Sequence, residues 1–367
     1  MAETYLPDAV PLDQVRRALV IKLRHHGDVL LSAPVFAALK AAAPQAHIDA
    51  LVYRDTAEML SQHPAIDTVH CIDRQWKKLG PWGHLRAEWQ LLQTLRHPGY
   101  DLVIHLTDHP RGAWLARAVG ARWAVGPKVR GRGGFWQNSF THFVGAPGNA
   151  LRHTVERNLD ALRRIGLYPA PDQRRLSLVP GMEAERRVGQ LLADQGLGGK
   201  PFVHLHPASR WRFKCWTAEA MAAVINGLQA EGWPVVISAA PDPAEREMVA
   251  AIQAGLARSA VDLSGQLSLK ELAALAGRAR LFIGVDSAPM HIAAAMGTPV
   301  VALFGPSGDK EWGPWGVPSR VIVSQDHPCR PCGIDGCGGG KVSDCLVSLP
   351  PATVLAAARE LLAEPAV

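Results

Sequence analysis

The chain has 367 residues, of which 48% are hydrophobic and 20% are charged, and its formal net charge is +6. This composition is typical of a globular protein and excludes a fibrous or disordered chain, while the length suggests two domains, each with its own core. No run approaches the ~20 apolar residues that span a bilayer, and the polar N-terminal segment lacks the apolar core of a signal peptide. We therefore expect a cytoplasmic protein, with peripheral contact at the inner face of a membrane left open.

Strands and helices alternate through the first half of the chain. Apolar runs predict strands at Ala18–Leu23, His47–Val52, Thr68–Ile72, Asp101–Leu106 and Ala121–Val125. Helices are predicted from the loop RHHGD to about Ala43, with Ser32 and Pro34 in its first turn, at His84–Arg96, at Ala113–Val119 and at Asn149–Gly166. Residues 126–150 are rich in Gly and Arg and predict a mobile loop. The alternation favours a mostly parallel, doubly wound sheet.

The second half repeats this alternation after a segment rich in proline, YPAPDQRRLSLVPGMEAE, which is the candidate interdomain linker. Strands are predicted at Phe202–His206, Trp233–Ser238, Leu281–Val285 and Val300–Phe304. Helices are predicted at Thr217–Glu231, Asp242–Leu256, Leu269–Gly277 and Thr353–Leu362. We expect two Rossmann-like α/β domains, residues 1–178 and 179–367, that face one another across a cleft.

The stretch LFIGVDSAPMHIAAAMGTPVVALFGP, residues 281–306, predicts a strand, a tight turn, a short helix and a second strand. Ser287 can cap the helix, and Pro289 suits its first turn. A helix that starts at the carboxyl end of a parallel strand directs N–H groups towards the ligand crevice, which suits a phosphate. Asp286 and His291 flank this turn. The alternative is a plain βαβ unit with a capping serine and a core histidine.

Two further loops follow predicted strands. In RHHGD, Gly27 permits a sharp turn and Asp28 can take a proton from an acceptor hydroxyl, with helix capping as the alternative role. His25 and His26 are competing bases in this loop. In PASRWRFKCW, a hydroxyl and three cations at a strand-to-helix turn suit a diphosphate, with a basic solvent loop as the alternative. These side chains are Ser209, Arg210, Arg212 and Lys214.

Basic residues crowd the region from Arg111 to Arg132, which includes Arg117, Arg122, Lys128 and Arg130. Such a patch suits a phosphorylated substrate, anionic lipid or nucleic acid, and a solvated face is the plain alternative. No nucleic-acid-binding motif accompanies the patch, so we expect no nucleic-acid partner.

Four of the six cysteines lie in a Gly-rich segment, residues 329–345. The spacing of Cys329, Cys332, Cys337 and Cys345 permits a structural zinc site outside the catalytic centre. Reduced thiols and reversible disulfides are the alternatives.

Three segments in this order carry a resemblance: LRHHGDVLLSAPVFAALK, HPASRWRFKCW and GVDSAPMHIAAAMGTPVVALFGP. The chain resembles the lipopolysaccharide heptosyltransferases of glycosyltransferase family 9 over nearly its whole length. The HHGD loop, the RFKCW motif and the cysteine segment resemble the heptosyltransferase III branch most. The resemblance implies the GT-B fold, ADP-L-glycero-D-manno-heptose as donor, a lipopolysaccharide inner-core acceptor and no catalytic metal or other cofactor.

The resemblance also implies roles for single residues. The family's acidic base falls on Asp28, and its phosphate-loop threonine region falls on Ala208 and Ser209. Its lysine falls on Lys214. The family's Asp-Thr/Ser-Gly turn falls on Asp286, Ser287 and Ala288, with Ala where Gly is frequent, and His291 follows. Further nucleotide-sugar contacts are expected from Arg210, Asp242 and Leu267, and acceptor contacts from His25, His26, Arg111, Arg130 and Arg132.

Two other functions remain open from the sequence. A nucleotide-sugar 2-epimerase of the same architecture would leave the basic, aromatic acceptor face unexplained. A non-catalytic envelope-assembly protein that binds anionic lipid would release no nucleotide with or without an acceptor.

Overall fold

The computed structural model describes residues 6–145 and 151–365, and the chain divides into two compact units between Ser177 and Leu178. The sequence had suggested a boundary after Leu178. Each unit contains a six-stranded sheet in which every strand pair is parallel. The α/β class and the doubly wound character of each unit are confirmed.

Unit 1 has the strand order β3-β2-β1-β4-β5-β6. Its strands are β1 (Arg17–Ile21), β2 (His47–Tyr53), β3 (Thr68–Ile72), β4 (Leu102–His105), β5 (Trp123–Pro127) and β6 (His142–Val144). Its helices are α1 (His26–Leu30), α2 (Ala33–Ala42), α3 (Gly80–Arg96), α4 (Pro110–Val119), α5 (Gly134–Gln137) and α6 (Thr154–Arg163). Short 3-10 helices lie at Leu12–Gln14, Arg54–Met59, Arg74–Lys78 and Pro171–Arg174.

Unit 2 has the strand order β12-β11-β10-β7-β8-β9. Its strands are β7 (Val203–His206), β8 (Val235–Ile237), β9 (Val261–Asp262), β10 (Leu281–Val285), β11 (Val300–Phe304) and β12 (Ser319–Val323). Its helices are α7 (Met182–Asp194), α8 (Ala218–Ala230), α9 (Pro243–Ala254), α10 (Leu269–Ala276), α11 (Ala288–Ala295), α12 (Asp309–Trp312), α13 (Asp344–Val347) and α14 (Pro351–Ala363). The 3-10 helices of this unit lie at Arg212–Lys214 and Cys337–Gly339.

The same connectivity therefore occurs twice. In each unit the first three strands add outward in one direction, and the fourth returns to the other side of the first strand. The strand order reverses between β1 and β4 in unit 1, and between β7 and β10 in unit 2. Ligands of open α/β sheets bind outside the carboxyl ends of the strands at this reversal point. The fold alone thus indicates one candidate site in each unit.

Burial explains why these segments form central strands. All residues of β4, β7, β10 and β11 are buried, as expected for strands covered by helices on both faces. The approach of helix to strand is close at Gly112 of α4, where a Cβ atom would lie only 2.0 Å from the ring of His105 on β4. Gly112 therefore allows α4 to pack directly over the end of β4.

The structure adds elements that the sequence did not predict in unit 2, among them β9, β12 and α7. Three further differences concern unit 1. The helix after RHHGD is two helices, α1 and α2, because the chain turns at Leu31 and Ser32; Ser32 is the N-cap residue of α2 and Pro34 lies in its first turn. The mobile loop expected at 126–150 is wrong over the described residues, which contain the end of β5, α5 and β6. The helix expected from Asn149 begins at Thr154, and residues 146–150 lie outside the described chain.

Within the described ranges, none of the helices has the length and apolar character needed to cross a bilayer.

Candidate active site

An ion pair occupies the reversal point of unit 2. Lys214 lies in the short 3-10 turn after β7, and Asp286 directly follows β10. Their strands are neighbours, with His206 opposite Gly284. Lys214 Nζ donates to Asp286 Oδ2 over 2.6 Å. The side chain of Asp286 is only 7% exposed and that of Lys214 is 23% exposed, so the cation is fixed beside the start of α11 by a buried carboxylate.

The start of α11 follows at once. Ser287 is its N-cap residue, as the sequence indicated, but the expected side-chain cap is wrong, since the hydroxyl donates instead to the carbonyl of Val285 over 3.3 Å. Ala288 is the first residue of the helix, and His291 is buried on it at 3% exposure. The structure therefore gathers Lys214, Asp286, Ser287 and Ala288 at one strand edge.

The loop between β7 and α8 is closed by its own sulfur contacts. The N–H of Ser209 donates to Cys215 Sγ over 3.3 Å, and the Cys215 thiol donates back to the carbonyl of Ser209. The hydroxyl of Ser209 accepts from the N–H of Trp211 over 3.3 Å. Arg210 lies with its guanidinium carbon 5.5 Å from the Trp211 ring centroid. These contacts give the loop a defined shape around its exposed cations.

A cavity of about 730 Å³ opens beside this loop. Its lining includes three of the predicted nucleotide-sugar contacts, Ser209, Arg210 and Asp242. Lys214, Asp286 and Ser287 do not line the cavity, so the predicted contacts of unit 2 fall into two neighbouring groups joined by the loop. This volume is within the usual range for small-molecule sites.

Asp242 and Leu267 have structural roles of their own. Asp242 is the N-cap residue of α9, where its Oδ1 accepts from the N–H groups of Ala244 over 2.9 Å and Glu245 over 3.3 Å. Leu267 packs against an apolar cluster that contains Phe202 and Leu275. The adenosine contacts predicted for Asp242 and Leu267 stay predictions.

Glu245 is a residue of this cavity that the sequence reasoning missed. Its Oε2 accepts from the N–H of Ala240 over 2.9 Å, and burial raises the pKa of its carboxyl group. From the sequence alone, Glu245 is explained as an acidic residue that stabilises the N-terminus of a helix, so nothing marks it as a site residue. Only the fold reveals that Glu245 also lines a cavity.

A buried polar cluster lies beneath the loop. The hydroxyl of Ser238, which follows β8, lies 2.7 Å from His204 Nε2 and 2.9 Å from His206 Nδ1 on β7. Burial lowers the pKa of His204 to about 3 and that of His206 to about 4, so both rings are neutral near pH 7. The cluster joins β7 and β8 directly below Pro207 and Ala208, where the loop begins.

The reversal point of unit 1 also brings opposite charges together. Asp28 lies in the first turn of α1, whose N-cap residue is His25, so the alternative role of Asp28 as the helix cap is wrong. Lys22 follows β1 and is 5% exposed; its Nζ donates to Asn158 Oδ1 over 3.0 Å and to the carbonyl of Leu106 over 3.3 Å. Burial lowers the pKa of Lys22 to about 8, while the carboxylate of Asp28 acts in the opposite direction. A buried ammonium group therefore stands within electrostatic reach of the predicted base.

A second pair crosses the same point. Arg24 donates to Asp108 over 2.5 Å, and Arg132 donates to the Asp108 carbonyl over 3.0 Å. His26 Nε2 donates to the carbonyl of Asp55 over 2.8 Å, which leaves its Nδ1 as the atom able to accept a proton. Arg132 therefore contacts the loop after β4, at the same edge of the sheet as the loop that contains Asp28.

The other basic residues of the stretch from Arg111 to Arg132 make local contacts of their own. Arg111 is paired with Glu88 of α3, and Arg117 lies over the ring of Phe135. Arg122 lies over the Trp123 ring at 4.3 Å. Arg130 is exposed. The basic stretch of the sequence is therefore distributed over several local contacts.

Three thiols of the cysteine segment, those of Cys329, Cys332 and Cys337, lie within electrostatic reach of Cys345. All four cysteines of the segment are free thiols, and Cys345 is buried, which raises the pKa of its thiol. Over residues 6–145 and 151–365, no group of three or more His, Cys, Asp or Glu side chains is placed to hold a metal ion. The structural zinc site at Cys329, Cys332, Cys337 and Cys345 stays a prediction.

Parallel sheets of this order define a doubly wound α/β protein, a class that binds its ligands at the reversal point of strand order. The family model described as glycosyltransferase family 9 (heptosyltransferase) matches residues 88–342. The chain belongs to glycosyltransferase family 9. The resemblance noted from the sequence motifs is confirmed.

Two named relatives are similar over most of their lengths. Lipopolysaccharide heptosyltransferase 3 of Escherichia coli is 38% identical over 295 residues, which cover 80% of this chain and 84% of the relative. Lipopolysaccharide heptosyltransferase 1 of Pseudomonas aeruginosa is 30% identical over 326 residues, 86% of each chain.

Two solved structures have the same fold. The family 9 glycosyl transferase of Veillonella parvula has a TM-score of 0.83 at 24% identity and covers 98% of this chain and 100% of its own. The Escherichia coli ADP-heptose LPS heptosyltransferase II has a TM-score of 0.73 at 22% identity and covers 94% of this chain and 98% of its own. The GT-B fold is confirmed.

Proposed function

We propose that this chain is an inverting glycosyltransferase that moves heptose from ADP-L-glycero-D-manno-heptose to a heptose of the lipopolysaccharide inner core. The observation that carries the proposal is the Lys214–Asp286 pair beside the start of α11, in a unit whose adjoining cavity is lined by Ser209 and Arg210. The relatives named above, which are 30% and 38% identical, support the choice of heptose and of a lipopolysaccharide acceptor.

Unit 2 is the proposed donor unit. Lys214 stabilises the negative charge that develops on the diphosphate as the bond from the sugar C1 to the diphosphate oxygen breaks. Ser209, Arg210 and the backbone at Ser287 and Ala288 bind the diphosphate, and His291 supports that turn from inside α11. Asp242, Leu267 and Glu245 are the proposed residues of the nucleoside end.

Unit 1 is the proposed acceptor unit. Asp28 takes the proton of the attacking hydroxyl as its oxygen forms the new bond to C1, and attack opposite to the leaving diphosphate inverts the configuration there. His25, His26, Arg130 and Arg132 are proposed to contact the core oligosaccharide and its phosphates. The guanidinium group of Arg111 is already paired with Glu88. Arg111 is therefore proposed to act on the acceptor phosphates at a distance, from the positive N-terminal end of α4, and not by direct contact.

The enzyme is proposed to work in the cytoplasm, with peripheral contact at the inner face of the inner membrane where its acceptor is anchored. Its proposed roles use side chains and backbone groups of the chain and the two substrates. The epimerase and the non-catalytic binding protein are not favoured by the relatives found.

The test is ADP release from ADP-heptose with and without a heptose-bearing core oligosaccharide. We expect release that depends on the acceptor, and a product whose new linkage has the opposite anomeric configuration to the donor by NMR. Conversion of the donor sugar without an acceptor would support the epimerase, and absence of any turnover would support the binding protein.

A further inference from the structure

Helix α3 of unit 1 has apolar side chains in both of its halves. Those of its C-terminal half, Leu91, Leu92 and Leu95, are buried. Those of its N-terminal half are exposed: Trp82 is 83% exposed, Leu85 61% and Trp89 59%, and Leu79 just before the helix is 56% exposed. The spacing of three and four residues from Trp82 to Leu85 to Trp89 aligns these side chains along one side of the helix. We call Leu79, Trp82, Leu85 and Trp89 the tryptophan face.

The charge around the tryptophan face is positive. Exposed basic residues precede α3, lie within it and form its last residue; they are Lys77, Lys78, Arg86 and Arg96. Glu88 is the sole acidic residue in the sequence from Arg74 to Arg96. Its carboxylate accepts from Arg111 of α4 and lies 3.2 Å from His84 Nε2, so it is neutralised by neighbours.

The neighbouring helices extend the same chemistry. Helix α4 packs against α3 and presents Trp114, which is 42% exposed. Phe135 of α5 is 51% exposed, and the guanidinium carbon of Arg117 lies 5.5 Å from its ring centroid. Large aromatic side chains with adjacent cations therefore occur on three successive helices of unit 1.

We propose that the tryptophan face docks unit 1 on an anionic phospholipid surface, an inference that rests on the proposed function because a membrane-anchored acceptor requires such contact. Tryptophan favours the boundary between headgroups and acyl chains, and an amphipathic helix rich in Lys and Arg lies in that boundary. The cations then meet lipid phosphates, while Trp82, Leu85 and Trp89 enter the apolar layer.

Charge argues against a second copy of the chain as the occupant. A two-fold interface places the same surface on both sides, so Lys77, Lys78, Arg86 and Arg96 would meet the same cations of the partner. An anionic bilayer supplies both the apolar layer and the counter-charges.

The first experiment is co-flotation with vesicles of phosphatidylcholine alone and of phosphatidylcholine with about one third phosphatidylglycerol. We expect the wild-type chain to bind the anionic vesicles, with a blue shift of its tryptophan fluorescence, and to dissociate in high salt. The variant Trp82→Ser/Leu85→Ser/Trp89→Ser should lose binding by about tenfold or more. The matched control is Met182→Ser/Ile334→Ser, which removes apolar side chains that are 90% and 58% exposed in unit 2 and should bind like the wild type.

Equal binding by the triple variant, or no binding of the wild type to anionic vesicles, would overturn the inference. A wild-type dimer in sedimentation that becomes a monomer in the triple variant would overturn it as well, in favour of a second copy. Thermal melting of each variant verifies folding, which exposed substitutions should preserve.

The second experiment separates docking from catalysis by comparing two acceptors, a delipidated core oligosaccharide and the same core embedded in anionic vesicles. We expect the triple variant to keep its kcat/KM on the free oligosaccharide and to lose about tenfold on the embedded acceptor. An equal loss on both acceptors would contradict a docking role. A wild type inactive on both would refute the proposed function, while the flotation result would still decide the docking surface.

Discussion

Lys214 and Asp286 come from loops 72 positions apart in the chain, yet Lys214 Nζ donates to Asp286 Oδ2 over 2.6 Å. They meet because β7 and β10 are neighbours at the reversal of strand order. Unit 1 has a similar arrangement, in which Arg24 after β1 pairs with Asp108 after β4. In both units, an ion pair spans the point where the fold favours ligand binding.

The first prediction concerns the catalytic role of Lys214. Charge grows on the leaving diphosphate, so the ammonium group should matter more in the transition state than in the ground state. Lys214→Ala should lower kcat/KM by an amount that corresponds to roughly 2–4 kcal/mol of lost transition-state stabilisation. The loss of ADP binding free energy should be smaller. Lys214→Arg should rescue poorly because a planar guanidinium group does not replace a point charge. Calorimetry of ADP binding together with steady-state rates measures both effects, and equal losses would reduce Lys214 to a uniform binding group.

The ion pair itself complicates Lys214→Ala, because the substitution leaves the buried Asp286 carboxylate unpaired. An uncompensated buried charge is strongly destabilising. We expect Lys214→Ala to melt below the wild type and Lys214→Ala/Asp286→Asn to recover much of that loss without recovering activity. Recovery of activity in the double variant would show that Lys214 acts only on stability.

The second prediction concerns Asp28 as the general base. Asp28→Asn keeps the shape of the side chain and removes its basicity, so turnover should fall by ~10²–10⁴-fold while donor binding stays near that of the wild type. Asp13→Asn, at an exposed position of the same unit, is the matched control. If Asp28→Asn kept its turnover and His26→Ala lost it, His26 would be the base, through the Nδ1 atom that its bond to Asp55 leaves available.

The third prediction concerns Lys22, which the sequence reasoning did not select. Burial lowers the pKa of Lys22 to about 8, so a positive charge stands near Asp28 below about pH 8 and is lost above it. Turnover should fall in Lys22→Met, and a basic limb of the kcat/KM profile near pH 8 should be absent from this variant. Lys40→Met, which removes a cation whose Nζ donates to the carbonyl of Ala46, is the control. Reduced activity with an unchanged basic limb would limit Lys22 to a structural role through Asn158.

The sequence predicted the fold class and most strands because central strands of a parallel sheet are continuous apolar runs. It failed at 126–145, where β5, α5 and β6 are short and contain Gly, so their periodicity is weak. Motif order selected the loops after β7 and β10, which the structure brings together at one strand edge. It could not predict that Lys214 pairs with Asp286, nor that Lys22 lies near Asp28, because both relationships depend on which strands are neighbours. The cysteine spacing permits zinc, and the structure places Cys329, Cys332 and Cys337 within electrostatic reach of Cys345.

The last prediction concerns pH and the buried histidines of unit 2. His206 has a pKa of about 4 in the fold, so it stays neutral there, whereas in the unfolded chain it takes up a proton below its ordinary pKa of 6.5. The unfolded state therefore binds more protons between these values, and stability falls as pH decreases from about 6.5 towards 4.

From about pH 7.5 to about pH 5, one such histidine should contribute a loss of roughly 2 kcal/mol. His206→Gln removes this titration, so its melting temperature should fall by about 5 °C less than that of the wild type over the same interval. The comparison uses the pH dependence of each variant, so an overall change in stability from the substitution itself cancels. His97→Gln, at an exposed position, should follow the wild type. A His206→Gln melting temperature that falls as steeply as that of the wild type would mean that His206 already carries its proton in the fold, contrary to its burial against Ser238.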